Sequence, residues 1–187
     1  MSYEAERKFL PSNSNWKGEV FKKYDIFQAY IDLNKIKIIV KNKALIIITK
    51  NMSIRKNITK AQEVLLLENL HIKNKVLRIR KRNNSLFLTL KIDIGMIGKQ
   101  IEVEKNLSPI HYNELKKYTN LSIDKVRSLV NFDNNLFEID EFKGNNKDLV
   151  LIEVELSDIN KEINLPEWVG QEVTGNAKYY NSVLAKN

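Results

Sequence analysis

The sequence predicts an α+β fold in which antiparallel strands close into a barrel with a charged interior and helices pack outside. Several segments alternate apolar with charged residues, which is the pattern of strands that bury one face. Turn sequences separate neighbouring segments, and helical patterns are few. Strands of this kind can direct their charged faces inward when the sheet curls, which leaves the apolar faces for the covering helices.

The clearest pair of strands lies at residues 76–91. In VLRIRKR, Arg78, Arg80 and Arg82 occupy every second position and alternate with Leu77 and Ile79, and LFLTLK continues the alternation to Lys91. The sequence NNS between the two segments is a turn signal. The pattern therefore predicts a β-hairpin that carries its cations on one face.

Carboxylates follow the same every-second-residue spacing elsewhere in the chain. The opening YEAERKFL places two acids and a base on one face if it is a strand. The segments IEVE, LFEID and LVLIEVEL each carry a pair of acids. The residues that this spacing puts on charged strand faces are Glu4, Glu6, Lys8, Glu102, Glu104, Glu138, Asp140, Glu153 and Glu155.

Residues 34–74 lack these paired charges. KIKIIVKNKALIIITK predicts a hairpin about Lys41-Asn42-Lys43, and TKAQEVLLLENLHIK predicts an amphipathic helix. We interpret this stretch as an insertion, or as two extended strands with a helix packed on them. The whole chain, 1–187, is expected to form a single domain that contains it.

Helices are expected at few other places. SPIHYNELKKYT, residues 108–119, begins with a Ser N-cap and a Pro at the first helical position. Its buried stripe is expected to consist of Ile110, Leu115 and Tyr118. Further short helices are expected at 124–130, at 158–163 and from about Ala177 to the end.

The composition excludes several kinds of chemistry. The chain has no cysteine, so it has neither disulfides nor thiolate sites. It has no glycine-rich phosphate loop and no nucleophile signature. His71 and His111 lie far apart in predicted helices, and we interpret them as surface or partly packed side chains. With no signal region and no apolar run of membrane length, we expect a soluble, cytoplasmic protein.

The net charge of +8 has two interpretations. A basic protein often meets phosphate-rich partners through its summed positive potential. However, the chain is rich in Lys, Asn and Ile, and surface lysines can simply solvate a fold. The composition alone leaves both interpretations open.

The charged strand faces are more specific as a set than one by one. Any single pair could face bulk water. A barrel interior lined by both signs of charge is expensive to desolvate unless the charges are paired or meet a ligand. A polyanion with divalent cations would satisfy both signs. Arg and Lys would take the phosphate oxygens, and carboxylates would hold Mg²⁺ or Mn²⁺.

In their order along the chain, these segments resemble the motifs of the CYTH superfamily, the triphosphate tunnel metalloenzymes. EAERKFL resembles the opening Glu-x-Glu-x-Lys signature, and LRIRKRNNSLFLTLK resembles the Arg-x-Arg hairpin with its Lys. IEVE and LVLIEVEL resemble the acidic strands. LPEWVGQEVTGNAKYYNSVLA resembles the closing segment. The resemblance covers most of the chain, except for residues 34–74 and short stretches near the N-terminus.

The resemblance implies an eight-stranded antiparallel β-barrel that forms an open tunnel, with helices packed outside, and that binds triphosphate with Mg²⁺ or Mn²⁺. The implied metal ligands are Glu4, Glu6, Glu153 and Glu155. The implied phosphate-binding residues are Lys8, Arg78, Arg80, Lys91, Arg127 and Lys178, with Lys125 as a weaker candidate. The implied catalytic residues are Lys8, Glu6 and Glu153, and the further acidic lining is Glu102, Glu104 and Asp140.

Three positions depart from the family pattern. Gln100 stands where an Arg usually precedes the acidic strand, and Lys178 stands where Arg is common. Ala29 replaces a usual Gly in the second strand. A Lys in place of a planar guanidinium loses bidentate binding, so substrate grip or preference could differ.

The function implied is metal-dependent hydrolysis of a triphosphate, with inorganic tripolyphosphate as the leading substrate and orthophosphate as a product. Class IV adenylate cyclase and thiamine or nucleoside triphosphatase are the alternatives within the family. A non-catalytic polyphosphate or nucleic-acid binding module is the alternative from another class. It would have no use for the acidic pairs, and the chain lacks the aromatic interleaving of single-strand binders. We expect a small-molecule triphosphate as partner rather than nucleic acid or membrane, and a homodimer stays open.

Overall fold

In the described residues, 3–95 and 99–187, of this computed structural model, the chain forms twelve strands and three α-helices. The side chains of Tyr3, Glu4 and Lys99 lie outside the description. The strands are β1 (Tyr3–Pro11), β2 (Lys22–Ile31), β3 (Lys37–Lys41), β4 (Ala44–Ile48), β5 (Ser53–Asn57), β6 (Lys75–Arg82), β7 (Ser85–Asp93), β8 (Lys99–Asn106), β9 (Thr119–Phe132), β10 (Asn135–Phe142), β11 (Val150–Leu156) and β12 (Val169–Glu172). The α-helices are α1 (Lys60–Asn69), α2 (Pro109–Lys116) and α3 (Asn181–Leu184), and 3₁₀ turns cover Asn15–Gly18, Leu33–Lys35, Gly144–Asn146 and Ala177–Tyr179.

Nine strands make one antiparallel sheet in the order β11-β10-β9-β2-β6-β7-β8-β1-β12. Strand β1 pairs with β8 and β12, and it also pairs with β11 from the opposite end of this order. In that second register Lys8 lies opposite Glu153, and Glu6 lies opposite Glu155. The prediction of a mostly antiparallel α+β fold is confirmed.

The strands alternate in the way that their sequences predict. In β6, Leu77 and Ile79 are buried in the apolar core, while Arg78 and Arg80 point to the other face. The hairpin of β6 and β7 is confirmed, and its turn places Asn83 at a φ of +51°. Asn tolerates this left-handed conformation better than most residues, which is why it suits such a turn.

Residues 37–69 form a unit of their own on the outside of this sheet. Strands β3, β4 and β5 make a separate antiparallel sheet, and α1 follows it. The hairpin about residues 41–43 and the helix are both confirmed, whereas β5 was not predicted. Leu45 and Ile47 of β4 pack in one core with Leu77 and Leu90 of the main sheet. This unit therefore covers the apolar side of β6 and β7.

A second core fixes the end of β1. The Phe137 and Trp168 rings pack edge to face with their centroids 5.4 Å apart. Strand β12 lies so close to β1 that a Cβ on Gly170 would be 2.9 Å from the Leu10 carbonyl oxygen. The Val173 N–H donates to the Lys8 carbonyl at 2.8 Å, so the closing segment holds the backbone at Lys8 in place.

Two helix predictions are wrong, and a third is confirmed only in part. Residues 124–130 belong to β9, whose inward positions carry Lys125 and Arg127 instead of apolar residues. Residues 158–163 form a turn, and the final helix shortens to α3. Helix α2 begins as predicted, with the Ser108 side chain accepting from the N–H of the third helical residue. However, Ile110 is 73% exposed, because the buried face of α2 consists of Tyr112 and the predicted Leu115.

No helix in the described ranges is long and apolar enough to cross a membrane.

Candidate active site

The charged strand faces surround a cavity of about 200 Å³. Each of β1, β2 and β6 to β11 contributes at least one side chain to its wall. The predicted site residues that line it are Glu6, Lys8, Arg78, Arg80, Lys91, Glu102, Arg127, Glu153 and Glu155, together with the weaker candidate Lys125. The predicted Glu104, Asp140 and Lys178 do not line it, and the Glu4 side chain lies outside the described residues.

Lys8 stands between two carboxylates of the wall. Its Nζ donates to Glu6 Oε1 at 2.8 Å and also to Glu153, which the β1–β11 register places directly opposite. Burial lowers the pKa of Lys8, but the charges of Glu153 and Glu6 raise it more, so the pKa lies above its usual value. Lys8 is therefore a fixed cation within the cavity wall.

Arg127 is the most densely paired cation of the site. Its Nε and Nη2 donate to the two oxygens of Asp140 at 2.7 and 2.6 Å, and Nη2 also donates to Glu153 at 2.7 Å. Glu138 pairs with its Nη1. Burial opposes the charge, yet Asp140 and Glu138 raise the pKa of Arg127. Asp140, fully buried, lies behind Arg127 and orients it rather than lining the cavity.

Lys125 lies deeper in the wall and is 2% exposed. It pairs with Asp140, and its Nζ lies 3.3 Å from Asn181 Oδ1 of α3. Burial lowers the pKa of Lys125, and Arg127 lowers it further against the opposing charge of Asp140. The C-terminal helix thus reaches the same wall as β9.

Arg78 and Arg80 are less fully paired. Arg78 Nη2 lies 3.7 Å from Glu102 Oε1, and Glu102 also pairs with Lys91. Arg80 Nη2 donates to Glu104 Oε2 at 2.7 Å, so Glu104 supports Arg80 from outside the lining. The Nε atoms of both arginines are buried and, among the described residues, have no hydrogen-bond acceptor. Burial and the charge of Arg78 lower the pKa of Arg80.

On the acidic side of the cavity, neighbouring carboxylates repel one another. Burial in the wall raises the pKa of Glu155, and the charges of Glu138 and Glu6 raise it further. Within the described residues no three ligating side chains are spaced to hold a metal ion as they stand. The mutual repulsion nevertheless fits a hard cation, which carboxylate oxygens bind and whose charge would relieve it.

Several wall residues were missed from the sequence. The spacing placed Glu138 on the charged face of its strand with Asp140, but Glu138 was not among the predicted site residues. Gln28 and Tyr30 alternate on β2, and the Gln28 amide donates to the Tyr30 hydroxyl. Burial raises the pKa of Tyr30 to about 12. The C-terminal lining residues Tyr180, Asn181 and Ser182 belong to the segment that resembles the family's closing motif, but none of them was predicted as a site residue.

Two predicted cations lie away from the wall. Lys178 is exposed on a 3₁₀ turn, with its Nζ 5.6 Å from the Tyr179 ring centroid. Arg82, the third arginine of the hairpin, lies between two rings, 5.0 Å from the Tyr24 centroid and 4.9 Å from the Phe87 centroid. Neither of them is among the cavity-lining residues.

The site defined by this antiparallel sheet places guanidinium, ammonium and carboxylate groups side by side on one cavity wall. No protein-family model matches the chain. It is 38% identical over 117 residues to the inorganic triphosphatase of Acetivibrio thermocellus, which covers 62% of this chain and 74% of that protein. It is 32% identical over 113 residues to the inorganic triphosphatase of Nitrosomonas europaea, covering 58% and 74%.

Two solved structures share the fold. The crystal structure of an inorganic triphosphatase aligns with a TM-score of 0.58 at 24% identity, covering 100% of this chain and 97% of that one. A conserved hypothetical protein from Pyrococcus furiosus aligns with a TM-score of 0.51 at 15% identity, covering 82% and 78%. The chain belongs to the CYTH superfamily, in the group of the inorganic triphosphatases.

Proposed function

We propose that the chain is a divalent-metal-dependent triphosphatase that hydrolyses inorganic tripolyphosphate to orthophosphate and pyrophosphate. The observation that carries the proposal is the pair of buried Nε donors on Arg78 and Arg80, which have no acceptor among the described residues. A buried donor without a partner is unfavourable by about 1–3 kcal/mol. Phosphate oxygens entering the cavity would satisfy both donors.

The cations of the wall suit a chain of phosphates. Arg78, Arg80, Lys91 and Arg127 come from three different strands and converge on one cavity. Guanidinium groups bind phosphate oxygens in pairs, while Lys8 and Lys91 add point charges. These groups would hold the substrate and neutralise charge that develops on the transferred phosphoryl group.

The metal ligands that we propose are Glu6, Glu153 and Glu155, with Glu4 as a further candidate outside the described side chains. A bound Mg²⁺ or Mn²⁺ would polarise the phosphate oxygens. The chain's own residues do the rest of the positioning: Glu6 and Glu153 hold Lys8, and Asp140 holds Arg127. A water attacks the terminal phosphorus in line, the bridging P–O bond breaks, and a wall carboxylate accepts the proton.

We also infer that the eight strands β1, β2 and β6 to β11 surround an open tunnel. Support comes from the contribution of every one of them to the cavity wall and from the pairing of β1 with both β8 and β11. The small cavity favours an inorganic substrate. Sites for drug-sized ligands occupy roughly 300–1,000 Å³, and this one is about 200 Å³.

The direct test is phosphate release from tripolyphosphate, ATP and thiamine triphosphate with Mg²⁺, Mn²⁺ or EDTA. We expect tripolyphosphate to be hydrolysed fastest and EDTA to stop the reaction. If tripolyphosphate binds but no substrate is hydrolysed with either metal, the protein is a binding module instead. Formation of cyclic AMP from ATP would identify a cyclase.

A double substitution, Glu153→Gln with Glu155→Gln, tests the metal assignment. We expect it to abolish metal-dependent hydrolysis. A folded double variant with full activity would contradict the assignment. Arg7→Gln is a matched control, because Arg7 lies on the opposite face of β1, where it pairs with Glu172.

A further inference from the structure

Contrary to the expectation from the sequence that no membrane is involved, we propose that residues 34–74, called the insertion below, dock the protein reversibly on an anionic lipid bilayer. The docking surface consists of Lys41, Lys43, Lys60, Val64 and Leu67, at the β3–β4 turn and on the exposed side of α1. This surface takes no part in the proposed hydrolysis, so the failure of one proposal would leave the other unaffected.

The charge of the chain is concentrated in the insertion. Residues 34–74 contain nine Lys or Arg and only two acids, which gives +7 of the chain's net +8. A general preference for lysine would not remove acids from one segment. Of the 23 acidic residues in the chain, 21 lie elsewhere. The unbalanced charge of this unit is complementary to an anionic surface, which attracts each basic residue near it.

Helix α1 has a second apolar strip besides the one that holds it to the core. Leu66 is fully buried in the core, whereas Val64 is 42% and Leu67 is 55% exposed. Residues three apart lie on the same face of a helix, so these two form one exposed apolar strip. Single exposed apolar residues are ordinary, whereas this pair lies between Lys60 and the exposed Glu68 and offers a small apolar contact beside the basic turn.

A buried carboxylate holds the lysines next to this strip. Glu63, which is 6% exposed, accepts from the Lys43 backbone N–H at 2.8 Å and from Lys60 Nζ at 3.0 Å. A capping box at Thr59 and Gln62 fixes the start of the helix. The β3–β4 turn, which carries Lys41 and Lys43, is therefore tied to the first turn of α1. The basic and apolar parts of the surface form one preorganised patch.

Docking here would leave the cavity free. The insertion packs on Leu77 and Leu90, whereas Arg78 and Lys91 of the same strands face the cavity. Neighbouring residues of a strand point to opposite faces, so the insertion and the cavity lie on opposite sides of the sheet. The bilayer would meet the outside of the protein while the substrate enters within the sheet.

A lipid surface fits the patch better than nucleic acid does. Residues 34–74 contain no Phe, Tyr or Trp, so the unit offers no platform for stacking bases. Val64 and Leu67 would have nothing to contact on a phosphate backbone. On a bilayer they would enter the boundary between headgroups and acyl chains while the lysines stay among the anionic headgroups.

The test is co-sedimentation of the full chain with vesicles of phosphatidylcholine alone or of phosphatidylcholine mixed with phosphatidylglycerol. We expect binding to the mixed vesicles at low ionic strength, little binding to the neutral ones, and release by salt. Lys41→Gln with Lys60→Gln, and separately Val64→Ser with Leu67→Ser, should each weaken binding by roughly tenfold or more. Far-UV circular dichroism and tripolyphosphate hydrolysis should stay unchanged in both variants.

Two control variants match these changes elsewhere on the surface. Lys161→Gln with Lys186→Gln removes the same charge, and Leu136→Ser with Leu165→Ser removes exposed leucines, each 41% exposed. The proposal is overturned if the chain ignores the anionic vesicles at low ionic strength or if the controls weaken binding as much as the docking variants. Tighter binding to duplex RNA or DNA than to the vesicles would assign the patch to nucleic acid and would also overturn it.

Discussion

Arg127 and Asp140 face each other across β9 and β10 and form two parallel hydrogen bonds, of 2.7 Å from Nε and 2.6 Å from Nη2. Asp140 also pairs with Lys125, and it is fully buried. One carboxylate therefore compensates two buried cations of the cavity wall. Its loss would leave at least one of them without its main partner.

We predict that Asp140→Asn destabilises the fold by about 3–5 kcal/mol, the usual effect of breaking a buried pair from one side. Urea unfolding measures this change. The kcat/KM for tripolyphosphate should also fall, because Arg127 loses the group that orients it. Glu172→Gln is the matched control: it breaks the bidentate pair of Glu172 with Arg7 at the surface and should shift stability by about 1 kcal/mol or less. Equal effects of the two substitutions would contradict the role of burial.

Lys8→Ala tests the proposed catalytic cation. Lys8 lies in the wall between Glu6 and Glu153. We propose that its ammonium group contacts the phosphates of the substrate, so its removal takes away a positive charge next to them. We predict a fall in kcat/KM of about 10²–10³-fold. The variant should stay folded, because Glu153 keeps its hydrogen bond from Arg127. Lys17→Ala, at an exposed lysine, is the control and should keep full activity. Near-normal activity of a folded Lys8→Ala would remove Lys8 from the mechanism.

Strand alternation made much of the site predictable. Charges at every second residue identify one strand face from local sequence alone, and eight predicted site residues found in this way line the cavity. Arg127 and the weaker candidate Lys125 also line it, but only the family resemblance implied them. Glu138 and Asp140 share one strand face, so their spacing could not tell which of the two lines the cavity. Only the strand register, which pairs Asp140 with Arg127, determines that one lines the cavity and the other supports it from behind.

The wrong predictions concern residues whose placement depends on contacts between distant segments. Residues 124–130 of β9 were predicted as a short helix, whereas Lys125 and Arg127 occupy inward positions of a strand, where an ordinary strand has apolar residues. Tyr180, Asn181 and Lys178 lie near each other in the sequence, yet only the first two reach the cavity. Their placement follows from how α3 packs against β9, which no local pattern encodes.

Gly170→Ala tests how the closing segment holds β1. The added Cβ would lie 2.9 Å from the Leu10 carbonyl oxygen and 3.0 Å from the Ser12 nitrogen, both of which are backbone atoms. We predict a destabilisation of about 1–3 kcal/mol, as for other overpacked sites, measured by urea unfolding. Gly18→Ala is the control, because no heavy atom lies within 4 Å of its added Cβ. A Gly170→Ala variant as stable as the control would mean that β12 is free to move away from β1.

Glu155→Gln tests the repulsion between the carboxylates on the acidic side of the cavity. The pKa of Glu155 is raised in the fold, so the folded state holds its proton more tightly than the unfolded state. The charged carboxylate therefore destabilises the fold once the pH rises through that pKa. Although the wall partly buries the carboxylate, the residue as a whole is exposed, so solvent screens the effect. We therefore predict that Glu155→Gln raises the free energy of unfolding by about 0.5 kcal/mol or less at pH 7 and leaves it unchanged in acid. Urea unfolding at both pH values measures it, and an equal gain in acid would contradict the electrostatic cause.

Arg78→Lys and Arg80→Lys test the two donors that carry the proposed function. Lysine keeps the charge but loses the Nε donor and the planar fork, so bidentate contact with phosphate is lost. We predict that kcat/KM for tripolyphosphate falls by about tenfold or more in each variant, since a hydrogen bond to a charged group contributes about 1.5–3 kcal/mol. Arg82→Lys is the control from the same strand face: Arg82 lies between the Tyr24 and Phe87 rings and outside the cavity lining, so its kcat/KM should hardly change. A uniform loss across all three would point to general electrostatic attraction, whereas a loss confined to Arg78 and Arg80 would identify direct contacts with the substrate.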